Sequence, residues 1–437
     1  MKCDITAQLV EWVYDARQRT FDLAADLDDE QLIGPYLPIV NPPLWEIGHV
    51  AWFQEKWVLR HAFKQKPIRD DADTLWDSIA IEHDTRWALS IPSREETLAY
   101  MRNVRDAVIE TIESGELNHD QIYLVRYTVF HEDMHTEAFT YTRQTLGYRP
   151  PQFSESVNPF NEDWMDNTLP GDVEIPGGTF LLGAEQDEEF VFDNEKWAHP
   201  VEVKPFAIAP TAVTQSEFAA FVDNDGYRRR DLWSSDGWDW RNSEAAQHPV
   251  YWRCDTDGEW LRRHFGEWVP LEPRLPVIHV NWYEVEAYCR WAKRRLPTEV
   301  EWEVAAAAEP RLGGEGLSST KRRFPWGGEP HTPERANLDW NQMGCVNVNA
   351  LPEGDSAFGC RQMIGNVWEW TSSSFHPYPG FEVDLYKDYS APWFASRKVL
   401  RGGCWTTRSR MLRNTWRNFY TPDRRDVLAG FRTCARD

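Results

Sequence analysis

A change of texture at Pro150-Pro151 constrains this chain more than any other feature. Ahead of it lie four long segments whose apolar residues recur at helical spacing. Behind it, short strand-like pieces alternate with turns. One segment cannot serve both patterns, because helix and strand put different residues on a common face. The chain is therefore expected to be multidomain, α followed by α+β. The expected parts are a helical bundle over 1–150, a polar linker over 151–172 and an irregular α+β domain over 173–437.

The first half reads as four helices. ITAQLVEWVYDARQRTFDLAADL carries the apolar period with no Gly or Pro. PPLWEIGHVAWFQEKWVLRHAF opens on Pro42-Pro43, suited to a first helical turn. SREETLAYMRNVRDAVIETIES opens on Ser93 with Glu96 three residues on, a capping box. DQIYLVRYTVFHEDMHTEAFTYTRQTLGY runs to Gly147, with prolines beyond. Four such helices predict a four-helix bundle, whose facing helices are a usual place for metal sites. In the second half EIPGGTFLLGA, HPVEVKPFAIAP, RKVLRGGCW and AGFRTCA read as strands. TQSEFAAFVDN and NWYEVEAYCRWAKRR read as helices, and Gly-Gly and Pro-Trp-Gly mark the turns.

Composition excludes several function classes. With 70 acidic against 47 basic residues the net charge is -23, which repels nucleic acid and anionic membrane. The basic run Lys321-Arg322-Arg323 is short and reads as a solvated loop. No apolar run approaches the roughly 20 residues a membrane span needs. MKCDITAQLVEW lacks a signal-peptide apolar region, so a cytoplasmic location is expected. The 7 cysteines are an odd, scattered set without CxxC, which fits reduced thiols. The 24 tryptophans supply core, and an indole face also attracts quaternary ammonium groups.

Three histidines carry the chemistry. His131 and His135 lie four residues apart, so a helix puts both imidazoles on one face. His49, on another aromatic helix, can supply a third nitrogen. Three neutral ligands leave open positions on a metal. The same residues satisfy H-E-x-x-H, in which Glu132 would be the general base of a zinc metalloprotease. Against that reading, Glu137 follows too closely to be the third ligand and the metzincin extension is absent. Helix histidines with no metal are the plainest alternative.

GHVAWFQE together with HEDMHTE resembles the DinB-like iron-binding domain of the ergothioneine-type sulfoxide synthases, a family that includes the selenoneine synthases. PGGTFLLGA, VTQSEFAAFV, LPTEVEWEVAA, FPWG, GNVWEWT, VLRGGCW and AGFR resemble the formylglycine-generating-enzyme fold, a C-type-lectin-like α+β domain. The resemblance covers nearly the whole chain. It implies iron(II) on His49, His131 and His135, with dioxygen as co-substrate. It implies bond formation between sulfur and the imidazole of hercynine, with oxidation of the sulfur. Relatives make the ovothiol precursor 5-histidylcysteine sulfoxide, or join selenium to hercynine. Asn418 and Phe419 match positions that hold hercynine, and Tyr420, Arg424 and Arg86 match positions that hold the chalcogen donor. Tyr378 is the expected active-site tyrosine, with Phe375 as the neighbouring register. The active site is expected between the two halves, since metal and substrate residues come from opposite ends of the chain.

Departures from the family pattern bear on the donor. A second family arginine is replaced by Ile91, and Tyr420 stands where some members have an acid. Both argue against a multiply charged donor such as γ-glutamylcysteine and for cysteine or a neutral selenosugar. Met134 stands where ergothioneine members usually have a glutamine bonded to the last histidine, as in ovothiol-type enzymes. Formylglycine-generating activity itself is not expected. Its two cysteines match Thr407 and Leu412, and Cys404 is displaced.

Overall fold

The computed structural model describes residues 5–153, 169, 171–311, 313 and 316–436. It forms two compact units, Met1–Ser156 and Val157–Asp437. Most of the expected linker, 154–168 and 170, lies outside the described residues.

The first unit is a bundle of four long helices. Helix α1 (Ile5–Ala24) buries Leu9, Val13, Ala16, Thr20 and Leu23, one stripe at helical spacing. Helix α2 (Pro43–Gln54) takes Pro43 in its first turn and buries every residue from Trp45 to Gln54, so it is the central rod. It runs on as a π-helix over Glu55–Ala62. Helix α3 (Arg94–Glu113) starts at the Ser93–Glu96 capping box. Helix α4 (His119–Leu146) starts at an Asn118–Gln121 box and stops at Gly147, whose φ of 69° is the left-handed conformation that glycine adopts without penalty. Helices α3 and α4 each pack against both α1 and α2. Two short helices, Asp29–Ile33 and Ala72–Trp76, lie in the connections.

The second unit is α+β. Besides an antiparallel pair of Ala308–Pro310 with Leu317–Lys321, its strands are β1 (Val173–Ile175), β2 (Gly178–Leu182), β3 (His199–Val203), β4 (Phe206–Ile208), β5 (Trp252–Cys254), β6 (Trp260–His264) and β7 (Glu267–Pro270). They continue with β8 (Arg294–Arg295), β9 (Trp368–Ser374), β10 (Lys398–Arg401), β11 (Arg417–Tyr420), β12 (Ala429–Gly430) and β13 (Cys434–Ala435). One sheet has the order β1-β4-β13-β8 and another β11-β10-β9-β12, in which only β12 runs parallel to its neighbour. Strands β2 and β3 pair as a hairpin, and β5-β6-β7 form a meander. Four helices complete it: α5 (Gln215–Asp223), α6 (Ser235–Ser243), α7 (Trp282–Trp291) and α8 (Glu299–Ala307). Phe180, Leu182, Phe206, Ile208, Trp302 and Met363 belong to its main core. Buried ion pairs tie the sheet to its surroundings: Arg401 with Glu303, Arg417 with Glu299 at 2.9 Å and Arg432 with Glu369 at 2.7 Å. Helix α6 and the β5-β6-β7 meander have no counterpart in the sequence reading. Cys254, Cys289, Cys345, Cys360, Cys404 and Cys434 are all free. No described helix is long and apolar enough to cross a membrane.

Candidate metal centre

The bundle brings His49, His131 and His135 together. One ligand nitrogen from each lies within 4.8 Å of the others. The ring centroids are 4.5 Å apart for His131 and His135, 4.9 Å for His49 and His135, and 5.2 Å for His49 and His131.

Each imidazole is held by its surroundings. His49 Nδ1 lies 2.8 Å from the Trp76 carbonyl oxygen, which makes Nδ1–H the donor and leaves Nε2 with its lone pair. Trp76 can pack there because Gly48 has no side chain; a Cβ on Gly48 would sit 2.2 Å from the indole nitrogen. Trp45 stacks on the His49 ring, centroids 5.0 Å apart and 8° from parallel. His135 Nδ1–H donates to Glu46 Oε1 at 2.9 Å. Glu46 stands on α2 one turn before His49, so a single helix supplies a ligand and the support of another. His131 stacks on Phe53 at 3.6 Å, and its Nδ1 is buried with no hydrogen-bond partner among the described residues.

Burial, and then the neighbouring imidazoles, push His49 and His131 well below the ordinary imidazole range. Both rings are therefore neutral, as metal ligation requires. Three imidazoles in a close triad, two of them held from behind by hydrogen bonds and the third with a buried nitrogen unspent, fit a divalent transition-metal ion with open positions. Glu132 takes no part. Arg17 grips both its oxygens, at 2.7 and 3.1 Å, and the Thr20 hydroxyl donates at 2.7 Å. This carboxylate anchors α4 to α1, so the H-E-x-x-H protease reading has no general base.

The remaining expected residues fall in two places. Arg86 is buried beside the triad, 4.0 Å above the Trp45 ring that stacks on His49. Its guanidinium donates to Asn41 Oδ1 at 2.5 Å and to the Ser78 and Ile81 carbonyls at 3.2 Å. In the second unit, Asn418, Phe419 and Tyr420 are successive residues of β11, so Phe419 points to the face opposite Asn418 and Tyr420. Asn418 Oδ1 accepts the Phe419 N–H at 2.8 Å. Arg424 lies 5.2 Å over the Tyr420 ring and forms a two-pronged pair with Asp426 at 2.6 and 2.7 Å. Phe375 stacks on Phe419 with centroids 4.0 Å apart. Tyr378 is buried, and its ring meets His199 edge-on. Its hydroxyl donates to Glu299 Oε2 at 3.4 Å, and the Arg417 guanidinium covers its ring at 4.1 Å. Burial pushes the Tyr378 hydroxyl far above the ordinary phenol range. At one of the two positions where formylglycine formation would need a cysteine, Thr407 Oγ1 accepts the Cys404 N–H at 2.9 Å.

Sequence reading missed Glu46, Trp76 and Phe53. Glu46 had a signal, its position three residues before His49 on one helix face; Trp76 had none.

Comparison with known proteins finds likenesses in both units. The DinB superfamily matches residues 13–138, and the sulfatase-modifying factor enzyme 1-like domain matches 159–437. A hercynine oxygenase of Mycolicibacterium thermoresistibile is 36% identical over 434 residues, spanning 98% of this chain and 94% of its own length. That of Mycolicibacterium smegmatis is 34% identical over 428 residues, 95% of this chain and 96% of its own. A formylglycine-generating enzyme of Streptomyces coelicolor is 34% identical over 300 residues, 61% of this chain and 89% of its own. The first two likenesses run through both units. The chain is thus an enzyme of the hercynine oxygenase family, the ergothioneine-type sulfoxide synthases.

Proposed function

We propose that this protein is an oxygen-dependent non-haem iron(II) enzyme that forms a carbon–selenium or carbon–sulfur bond on the imidazole of hercynine. The observation that carries the reading is the triad of His49, His131 and His135, within 4.8 Å of one another in a chain of this family. When bound, iron(II) would supply open positions for dioxygen and a soft chalcogen donor, so that electron exchange stays local. Glu46 and the Trp76 carbonyl hold two of the ligands in one tautomer and orientation.

In the second unit, the stacked Phe375 and Phe419 rings present an aromatic face suited to the trimethylammonium group of hercynine. The Asn418 side chain would bond its carboxylate. Tyr378 is the proposed proton-holding phenol, with Glu299 as the neighbouring acceptor. Tyr420 and Arg424 in this unit, and Arg86 in the first, are each proposed as donor-binding residues. The charge of Arg424 is already matched by Asp426, and Arg86 is held by an amide and two carbonyls. That leaves little cation for a donor with several carboxylates, and favours cysteine or a neutral selenosugar.

Met134 supports a second reading, the ovothiol-type 5-histidylcysteine sulfoxide synthase. Yet His135 has its support from Glu46, so Met134 does not leave that ring unsupported. The test is dioxygen consumption with hercynine or histidine and a panel of cysteine, γ-glutamylcysteine and a seleno- or thiosugar, read by product mass. Conjugation of selenium or sulfur to hercynine is expected. Turnover of histidine alone would favour the second reading, and no dioxygen uptake with any pair would end both.

A further inference from the structure

Two of the three imidazoles are fixed by hydrogen bonds, His49 by the Trp76 carbonyl and His135 by Glu46. His131 is not. Its Nδ1 is buried with no hydrogen-bond partner among the described residues. The torsion that turns an imidazole about its stem is broad, so a neighbour must choose the plane of this ring. Phe53 lies flat against it, with centroids 3.6 Å apart and planes 8° from parallel. At that spacing the ring atoms are already in van der Waals contact, and a turned imidazole would drive its edge into the phenyl face. Phe53 has little room to give way. It is 1% exposed, and the rings of Tyr127 from α4 and Trp57 from the π-helical continuation lie 6.1 and 6.2 Å from it.

The register of α2 explains why the stack falls there. Glu46, His49 and Phe53 stand at i, i+3 and i+7, so one face of the helix carries all three. Glu46 accepts from His135, Phe53 covers His131, and His49 is itself the third member of the triad. Helix α4 brings two of the imidazoles, and α2 aligns both.

We propose that Phe53 is a positioning residue of the metal centre, its face holding His131 in plane as hydrogen bonds hold the other two ligands. The proposal rests on the metal reading above and adds to it a residue with no donor atom of its own.

The test uses the full chain, with iron(II) and cobalt(II) as probes under anaerobic conditions. Phe53→Leu keeps apolar bulk and loses the flat face; Phe53→Tyr keeps the face. Phe53→Leu should bind iron(II) about tenfold more weakly in competition with a chelator, and should change the visible absorption of the cobalt(II)-loaded protein. Phe53→Tyr should restore both. If Phe53→Leu does not fold, Phe53→Met replaces it with the same readouts. In crystals of the metal-free wild type, His131 should lie parallel to Phe53 in a single orientation. A role in packing alone would lower the unfolding midpoint of Phe53→Leu and leave its iron(II) affinity and cobalt(II) absorption as in the wild type; that result overturns the proposal. So does an equal loss of affinity in a folded Phe53→Tyr, or a metal-free wild type in which His131 is turned from the Phe53 face. A wild type that takes up no iron(II) overturns the metal reading and this proposal with it.

Discussion

Glu46 is the residue on which the proposed centre leans without being part of it. It is 3% exposed and places one carboxylate oxygen on His135. Such partners fix ring orientation, and their loss commonly costs about 10–100-fold in metal affinity. Glu46→Ala is expected to weaken iron(II) binding by about that factor, measured anaerobically by competition with a chelator, with the helical fold intact by circular dichroism. Unchanged affinity would reduce Glu46 to packing. At this scale the triad was legible, since a four-residue spacing and a second aromatic helix named all its members. Glu46 lay within reach of the same spacing, but carboxylates are mostly exposed and it was not read as buried. Trp76 was out of reach, because its carbonyl meets His49 only through the path of the connection after α2.

Among the elements, α1 and α4 are joined by the fully buried Arg17–Glu132 pair. Removing one partner of a buried pair costs about 3–5 kcal/mol, because the other charge stays behind. Arg17→Met should lower the unfolding free energy by that order in urea titrations, and Glu132→Leu in the same chain should restore much of it; a single change without cost would contradict the assigned role. Helix α7 gives a pH test. Glu284 accepts from the Tyr227 hydroxyl at 2.5 Å and from the Asn281 N–H at 2.8 Å. Burial, opposed by the charge of Arg425, pushes its carboxyl from 4.5 up to about 7. The native state therefore binds this proton more tightly than the unfolded chain. The stability it contributes is full below pH 4.5 and lost as pH rises through about 7. Glu284→Gln should remove up to ~1.4 kcal/mol per pH unit from the slope of stability in that window. Equal slopes in both proteins would contradict it. The capping boxes and Gly147 made the four long helices legible. The π-helical continuation of α2 was not, because its side chains keep a helix-like period while the hydrogen bonds change. The strands β5, β6 and β7 were missed because WRC, WLRRH and EWVP are short or rich in arginine and do not alternate.

At the scale of the whole molecule, class and order of units were readable because the break at Pro150 separates two incompatible periods. The motif resemblance then joined the units into one enzyme, and the comparisons with hercynine oxygenases cover both. The chalcogen donor was not readable. In the proposed roles of Arg86 and Arg424, the donor depends on how far the two are spent on Asn41, Ser78, Ile81 and Asp426, which spacing does not reveal. The proposed function requires one iron(II) ion held by three imidazoles. Its most direct test is anaerobic reconstitution of the full chain with iron(II), with metal content and dioxygen-dependent product formation from hercynine read together in the wild type and in His49→Ala, His131→Ala and His135→Ala. About one iron per chain and product formation are expected in the wild type, with both lost in each variant. Iron retained and turnover unchanged in the three variants, or a wild-type chain that takes up no iron, would contradict it.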